Sequence, residues 1–427
     1  MRSYFARTFT ALESPQYRVL WFGTLFSFLG MQMQIIARGY LAFDLTGKNS
    51  ALGGVMLAFG LPSLLLTLWG GVIADRLPKR RTIVVTQGVI AINAGWMATM
   101  IATGLVQFWM LLVAGLVQGV AFSFMGPARQ AFVSDLVGRD RIGNAVVLQQ
   151  LSMNGTRVIG PSIAGVFISI QFIGLAGTYL MTTLGFIIAM VMTMRLPAGE
   201  PAPRDDARSA AGDLLDGLRY VRSRPSIAIL LLTSLVMTSL AFPFQAFLPS
   251  IAVDIYDAGS RGLGALSSVQ AVGAVVATVI IASVAGHPRA WHIQPVLAAG
   301  FGASIVLLGA MPSFVTGLVA ISVVGAFSAG FQSLNNSLSL TLSDSAYHGR
   351  VQSLNMLAWS LFGLAAMPLG VVADLIGIQE MLMLTGGLSV VCVLGLRFLS
   401  RVWGAEEDRR AAFHEPPDFL AEPAGGR

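Results

Sequence analysis

Long apolar runs, separated by short polar turns, occupy most of the chain. A membrane-spanning helix needs about 20 mostly apolar residues. Twelve runs meet or approach that length: 17–43, 51–74, 82–104, 108–127, 143–169, 172–194, 226–250, 262–285, 294–311, 314–338, 351–374 and 378–398. The seventh is interrupted by Pro243 and Pro249 and the ninth is short, so these two are the weakest. The pattern predicts an all-α membrane protein of twelve transmembrane helices.

Residues 196–225 break this pattern. Pro197, Pro201 and Pro203 lead into a charged stretch, and Leu214, Leu215, Leu218 and Val221 then recur at helical spacing. A basic amphipathic helix of this kind suits a membrane surface. The linker separates an N-terminal bundle (1–195) from a C-terminal bundle (226–400), each with six spans. From 401 the chain is charged and contains Pro416, Pro417 and Pro423, and this tail is expected to be disordered.

Composition supports the membrane reading. The 427 residues are 55% hydrophobic and 11% charged, with mean hydropathy +0.73, against about 25% charged in soluble domains. Disordered and collagen-like chains are excluded by the same figures. A net charge of +6 would suggest nucleic acid in a soluble protein, but here the cations fall in loops. With a cytoplasmic N-terminus, 23 of the 27 basic residues lie on inner segments. Lys48 and Arg261 lie outside, and Arg38 and Arg157 lie within spans. That bias supports an even number of spans with both termini cytoplasmic. The single Cys392 permits no internal disulfide or thiol-rich metal site, and no cleaved signal peptide is evident.

The stretch Gly70-Gly71-Val72-Ile73-Ala74-Asp75-Arg76-Leu77-Pro78-Lys79-Arg80-Arg81 runs from small apolar residues through one acid to a cation cluster. It suits a helix ending at a membrane surface and turning into the next. A second trace points to duplication. Ser134-Asp135 precedes Arg141 as Ser343-Asp344 precedes Arg350, both at an offset of 209 (344 − 135 and 350 − 141). Pro161 and Pro368 follow in the respective next helices. Duplicated halves place a substrate site at their interface.

The run Gly71-x-Ile73-Ala74-Asp75-Arg76-x-Pro78-Lys79-Arg80 resembles the signature between helices two and three of the major facilitator superfamily, departing at Pro78 where Gly is usual. Met31-Gln32-Met33-Gln34, Asp44-Leu45-Thr46-Gly47, Gly126-Pro127-Ala128-Arg129-Gln130-Ala131, Arg157-Val158-Ile159-Gly160-Pro161 and Gly217-Leu218-Arg219-Tyr220-Val221 resemble its enterobactin-exporter-like and macrolide-efflux-like branch. The resemblance implies the major facilitator fold, a monomer without cofactor or metal, and a bacterial cytoplasmic membrane. It also implies rocker-switch movement of one bundle against the other. A gating set of Gly71, Asp75, Arg76, Lys79, Arg80, Asp135 and Arg350 goes with it. Asp75 is expected to face the start of the eleventh helix near Gly349-Arg350-Val351. The cations are expected to meet Asp135 or Asp140 only when the inner gate is closed.

Arg157 sits mid-span, where a cation costs at least a few kcal/mol unless it faces a cavity or a partner. It reads as a cavity cation for an anionic or polar substrate, a partner for a protonatable acid, or a structural bridge to a carbonyl or Gln. Gly160 and Pro161 mark a bend in the same helix. Arg38 and Asp44 lie toward the outer end of the first helix, where each can snorkel to the interface. Gln32 and Gln34 are deeper and point about 200° apart. Asn154, Gln245, Gln270 and Asn335 are further amides for a substrate cavity or for helix–helix hydrogen bonds. No acid lies centrally in a span, which leaves Asp44 and Asp254 as candidates for proton coupling. Drug–proton antiporters commonly carry an Arg four residues before a Gly on the fourth helix. Here Gly115 takes that place, ahead of Gln118-Gly119.

His287, His292, His348 and His414 lie outside the spans, and no P-loop or catalytic constellation is present. The expected function is therefore not enzymatic. It is secondary export of a small amphipathic compound, a siderophore or drug, with the lipid bilayer and protons as the other partners and no nucleic acid. An importer or permease of a small metabolite and a non-transporting membrane sensor are the alternatives.

Overall fold

A backbone in hydrocarbon must satisfy its own N–H and C=O groups, and a continuous helix does so. The computed structural model describes residues 10–137, 141–170, 172–198, 210–282, 289–344 and 347–414. Side chains at 67–76, 134, 142, 143, 146, 147, 150, 151, 154, 158, 210, 211, 213, 214, 282, 353, 356, 359, 360 and 410–414 lie outside that description. The N-terminal half consists of α1 (Pro15–Thr46), α2 (Asn49–Arg76), α3 (Lys79–Ala102), α4 (Phe108–Leu136), α5 (Ile142–Ser169) and α6 (Gly174–Met194). The linker forms α7 (Ala210–Ser223). The C-terminal half consists of α8 (Pro225–Val236), α9 (Gly259–Ala282), α10 (Ala290–Ala310), α11 (Phe314–Thr341), α12 (His348–Ile376), α13 (Ile378–Val402) and α14 (Ala405–His414). Among the described residues, ten helical runs are long and apolar enough to cross a membrane. Leu361–Ile376 of α12 is a shorter apolar stretch.

Local chemistry sets several helix ends. Ser14 caps α1 through its Oγ, which accepts from the Tyr17 N–H, and Pro15 takes the first helical position. Gly47 ends α1 at φ 62°, a conformation glycine adopts freely. The two prolines of the seventh span have a visible effect. After α8 the chain passes through a π turn (Met237–Ala241), a 3-10 turn (Phe242–Gln245), the short helix Leu248–Ser250 and a second π turn (Ile251–Ile255). Proline removes a backbone donor and breaks regular helical bonding. Phe242 anchors this irregular run on α10, edge-on to Phe301 at 4.9 Å.

Within the N-terminal half, α1 packs on α5 and α6, α2 on α4, and α3 on α4 and α6. Within the C-terminal half, α9 packs on α11, and α10 on α11 and α13. Two helix pairs join the halves, α2 with α12 and α5 with α9. The helices alternate in direction, so both ends of the described chain lie on one face, the termini face. The buried apolar residues divide unevenly between the faces. Toward the far face one continuous core joins both halves, from Met33 and Leu52 to Phe247 and Leu266. Toward the termini face the described residues form two separate cores. One lies in the N-terminal half around Tyr17 and Phe132, the other in the C-terminal half around Ile227 and Leu342. The halves are thus packed together at the far face.

One expectation is corrected. The segment beyond 401 is not wholly disordered, because Ala405–His414 form α14. Asp408 accepts from the Ser226 N–H at 3.1 Å, which satisfies an N-terminal donor of α8. In the linker helix Leu215 and Leu218, which a membrane-surface helix turns toward lipid, are exposed, whereas Tyr220 and Val221 are buried. The Tyr220 ring stacks on Tyr347 at 4.0 Å, and its hydroxyl accepts from the Asp344 N–H at 2.9 Å. Aromatic stacking and a satisfied hydroxyl fix that orientation.

Candidate functional site

Gln34 and Arg38 are one helical turn apart on α1 and therefore share a face. That face turns into the N-terminal half, toward α4. Arg38 is only 3% exposed. Its Nη2 donates to Gln118 Oε1, and Gln118 Nε2 donates to Gln34 Oε1 at 2.8 Å. The interfacial, snorkelling position expected for Arg38 is therefore overturned. The amide pair on α1 and α4 offers its guanidinium a polar partner that lipid cannot.

Farther toward the termini face the same helix pair repeats the arrangement in reverse. Arg129 of α4, also 3% exposed, donates to Ser27 Oγ of α1 at 3.1 Å and lies over the Phe28 ring at 5.1 Å. The two levels are eleven residues apart on each helix (38 − 27 and 129 − 118), about 16 Å. Neither guanidinium has a carboxylate partner among the described residues, and the Nε of each makes no hydrogen bond. Two buried cations without counter-charge on one helix pair are costly in a membrane, and such residues mark substrate or ion pathways.

Arg157 lies on α5 and reaches the other half, where its Nη1 donates to Gln332 Oε1 of α11 at 3.0 Å. That bond is the bridge to a Gln, one of the three readings open for it. Gly160 is a packing point for α1, since a Cβ there would come within 2.4 Å of Gln32 Cβ. α5 continues as a single helix through Pro161.

Other predicted residues do not converge on one place. Asn335 accepts from Gln294 Nε2 at 3.0 Å, a bond between α11 and α10 inside the C-terminal half. Gln270 presents its backbone carbonyl to Gly325, and Gln245 lies half-buried in the 3-10 turn after α8. The side chain of Asn154 lies outside the described residues. Asp44 and Asp254 are both exposed at the far face, and Asp254 accepts from Ser250 on its own turn at 2.9 Å.

The gating set also separates. Lys79 Nζ meets both oxygens of Asp135 at 2.8 Å. The bond joins the start of α3 to the end of α4, both in the N-terminal half. Arg80 donates to the Leu196 carbonyl at 2.8 Å and fastens α3 to the end of α6. Arg350 lies over the Tyr347 ring at 4.9 Å, with its Cβ beside Gly217 of the linker helix. The side chains of Gly71, Asp75 and Arg76, like residue Asp140, lie outside the described residues.

Sequence reasoning missed two features. Arg129 was placed among inner cations. Its distance of eleven residues from Gln118, close to three turns, is the signal that both share a stripe of α4. Asp374, unassigned from sequence, accepts from the Asn49 and Ser50 N–H groups at 2.7 and 3.0 Å.

Comparison with known proteins places this helical architecture. A family of the major facilitator superfamily described as transmembrane secretion effector matches residues 6–426. The chain belongs to that family. The staphyloferrin A transporter of Staphylococcus aureus is 24% identical over 364 residues, covering 82% of this chain and 88% of that protein. The enterobactin exporter EntS of Shigella boydii is 26% identical over 287 residues, 67% of each chain. Among solved structures, an inward-facing, unoccupied bacterial homologue of the human lysosomal transporter Spinster superposes with TM-score 0.71. It is 13% identical and covers 94% of this chain and 98% of its own. The nucleoside transporter NupG gives 0.67 at 16% identity, covering 94% and 100%. The resemblance read from the loop after α2 thus holds, and the protein is a multi-pass membrane transporter.

Proposed function

We propose that this transporter exports a small anionic compound of the siderophore class by rocker-switch movement of two six-helix bundles. The observation that carries the reading is the pair of buried guanidinium groups, Arg38 and Arg129, on α1 and α4 without carboxylates. A cation kept in hydrocarbon without a counter-ion is explained by a mobile anion that supplies the counter-charge in passing. The staphyloferrin and enterobactin relatives support the substrate class. Twelve spans follow when α5 and α12 join the ten apolar runs. The charge asymmetry of the loops makes the termini face cytoplasmic. On that assignment the far face is the outside, and the packing described above is an inward-open state.

The drive also follows from the charge. Each negative charge leaving the cell gains about 2.3 kcal/mol per 100 mV of inside-negative potential. An exported anion therefore needs no carboxylate in its path, and the exposed Asp44 and Asp254 are not assigned one.

The test is flux of a tricarboxylate or catecholate siderophore in proteoliposomes, set against a neutral amphiphilic drug. A potassium–valinomycin potential should drive the anion without a pH gradient, and Arg38→Gln should abolish that flux. Transport of the neutral drug alone, or flux that follows only the pH gradient, refutes the reading.

A further inference from the structure

α2 and α12 run antiparallel across the boundary between the halves. At the far face the last turn of α12 meets the first turn of α2. There the two oxygens of Asp374 accept separately from the Asn49 and Ser50 N–H groups, at 2.7 and 3.0 Å. A helix start leaves its first N–H groups without internal partners and carries partial positive charge. Asp374 answers both, from the opposite half of the molecule.

The backbones of the same pair are in direct contact beneath this bond. A Cβ on Gly370 would lie 2.5 Å from the Asn49 carbonyl oxygen, and one on Gly53 would lie 2.4 Å from that of Ala366. One on Gly363 would lie 2.6 Å from that of Met56. Beside the bond is a cavity of about 360 Å³, lined by Asn49, Asp374, Asp254 and Glu380 among others. The second joining pair differs. α5 and α9 touch through Gly165 and Gly264, and the last residues of α5, Val166-Phe167-Ile168-Ser169, include no acid.

We propose that Asp374 is the latch of the outer face. Its carboxylate holds α2 to α12 in the inward-open state, and it must let go of the start of α2 before that face can part. The inference rests on alternating access and on the sidedness assigned above, but not on any particular substrate. The bond sits at the rim of two bodies that rock about the membrane centre, where separation is largest. Opening by even a few ångströms removes both hydrogen bonds.

Double electron–electron resonance tests this without substrate. Spin labels go on exposed far-face positions off the latch, Thr103→Cys in the N-terminal half and Pro312→Cys in the C-terminal half, with Cys392→Ser as background. Asp374→Asn should raise the ratio of outward-open to inward-open molecules about fivefold, the scale of a charge at an exposed helix end. Asn49→Pro perturbs the latch from the donor side. Proline is accepted at a first helical position but lacks the N–H, so the same displacement is expected with the carboxylate intact. This variant also carries the test should Asp374→Asn fail to fold. Unchanged distance distributions in a folded Asp374→Asn protein, or in Asn49→Pro, overturn the latch. Absence of anion flux in the unaltered protein, with the variants' distances shifted as expected, would fault the substrate reading alone.

Discussion

Replacing Arg38 by Met separates a cation kept for transport from one kept for stability. The guanidinium is 3% exposed and held by one amide, with its Nε unsatisfied. Placing Arg at the centre of a membrane helix costs about 2.5–3.5 kcal/mol, which Met returns. Against that stands the loss of one charge-assisted hydrogen bond, about 1.5–3 kcal/mol. The Gln118 Oε1 is also left without a donor. No charge is orphaned, so the penalty of about 3–5 kcal/mol for breaking a buried ion pair does not apply. The stability of Arg38→Met should therefore stay within about 2 kcal/mol of the parent, while siderophore flux falls at least tenfold.

Adding Gln34→Leu and Gln118→Leu removes the remaining unsatisfied amides. Apolar replacement of buried polar clusters is neutral or stabilising by about 1–4 kcal/mol, so the triple variant should be at least as stable as the parent and still inactive. Unfolding in mixed micelles and flux in proteoliposomes measure the two quantities on one preparation. A triple variant that unfolds more than about 3 kcal/mol too easily would show that the cluster is structural. One that transports normally would show that Arg38 does not meet the substrate.

Other expectations concern the supporting contacts. Lys79→Met strands Asp135, whose side chain is 28% exposed, and should destabilise the N-terminal half by about 1–3 kcal/mol. Adding Asp135→Leu should recover most of that in thermal unfolding. Gly53→Leu cannot be accommodated against the Ala366 carbonyl, so it should insert normally yet lose flux. Asp408→Ala removes the bond to the start of α8 and the contact with Arg224 at 3.5 Å. It should cost about 1 kcal/mol and hasten amide exchange in α14. Burial raises the Glu406 carboxyl, but Arg409 and His292 outweigh it and hold the group below its ordinary 4.5. Because the folded value is the lower one, the attachment of α14 through Glu406 is complete above about pH 4.5 and is lost as pH falls through the folded value. Glu406→Gln should flatten that acid limb in limited proteolysis of α14.

The helices were legible because length and apolarity alone decide them, and the loop charges carried the sidedness expectation. Partners were harder to read. Arg38 lies one turn from Gln34 in the sequence, but only the packing of α1 on α4 shows that both turn toward Gln118. Arg129 follows Gly126-Pro127, which reads as the end of a span. α4 instead runs on to Leu136 and carries the cation inside the bundle. Asp374 meets its donors across 325 residues of chain, a pairing no local pattern encodes. Charge predicted disorder for the tail, yet the charged Asp408 is what fixes α14, because the start of α8 needed an acceptor. The leucines of α7 gave the amphipathic helix, but the stacking of Tyr220 on Tyr347 that holds it needs the packing.

The two halves differ in charge. The cations within spans, Arg38, Arg129 and Arg157, all belong to the N-terminal half, while the central parts of the C-terminal spans hold no Lys or Arg. Arg157 reaches across and donates to the amide of Gln332. Arg157 lies near the middle of α5. Under the proposed rocker-switch movement that is close to the level about which the bundles would turn, where displacement is least and a contact can persist in both states. Among the described residues, the carboxylate contact between the halves is at the rim, in Asp374. On the proposed movement displacement there is greatest, so a bond of modest strength would contribute fully to one state and not at all to the other. The proposed substrate cations, Arg38 and Arg129, lie inside one half, so recognition and the control of opening would rest on separate contacts.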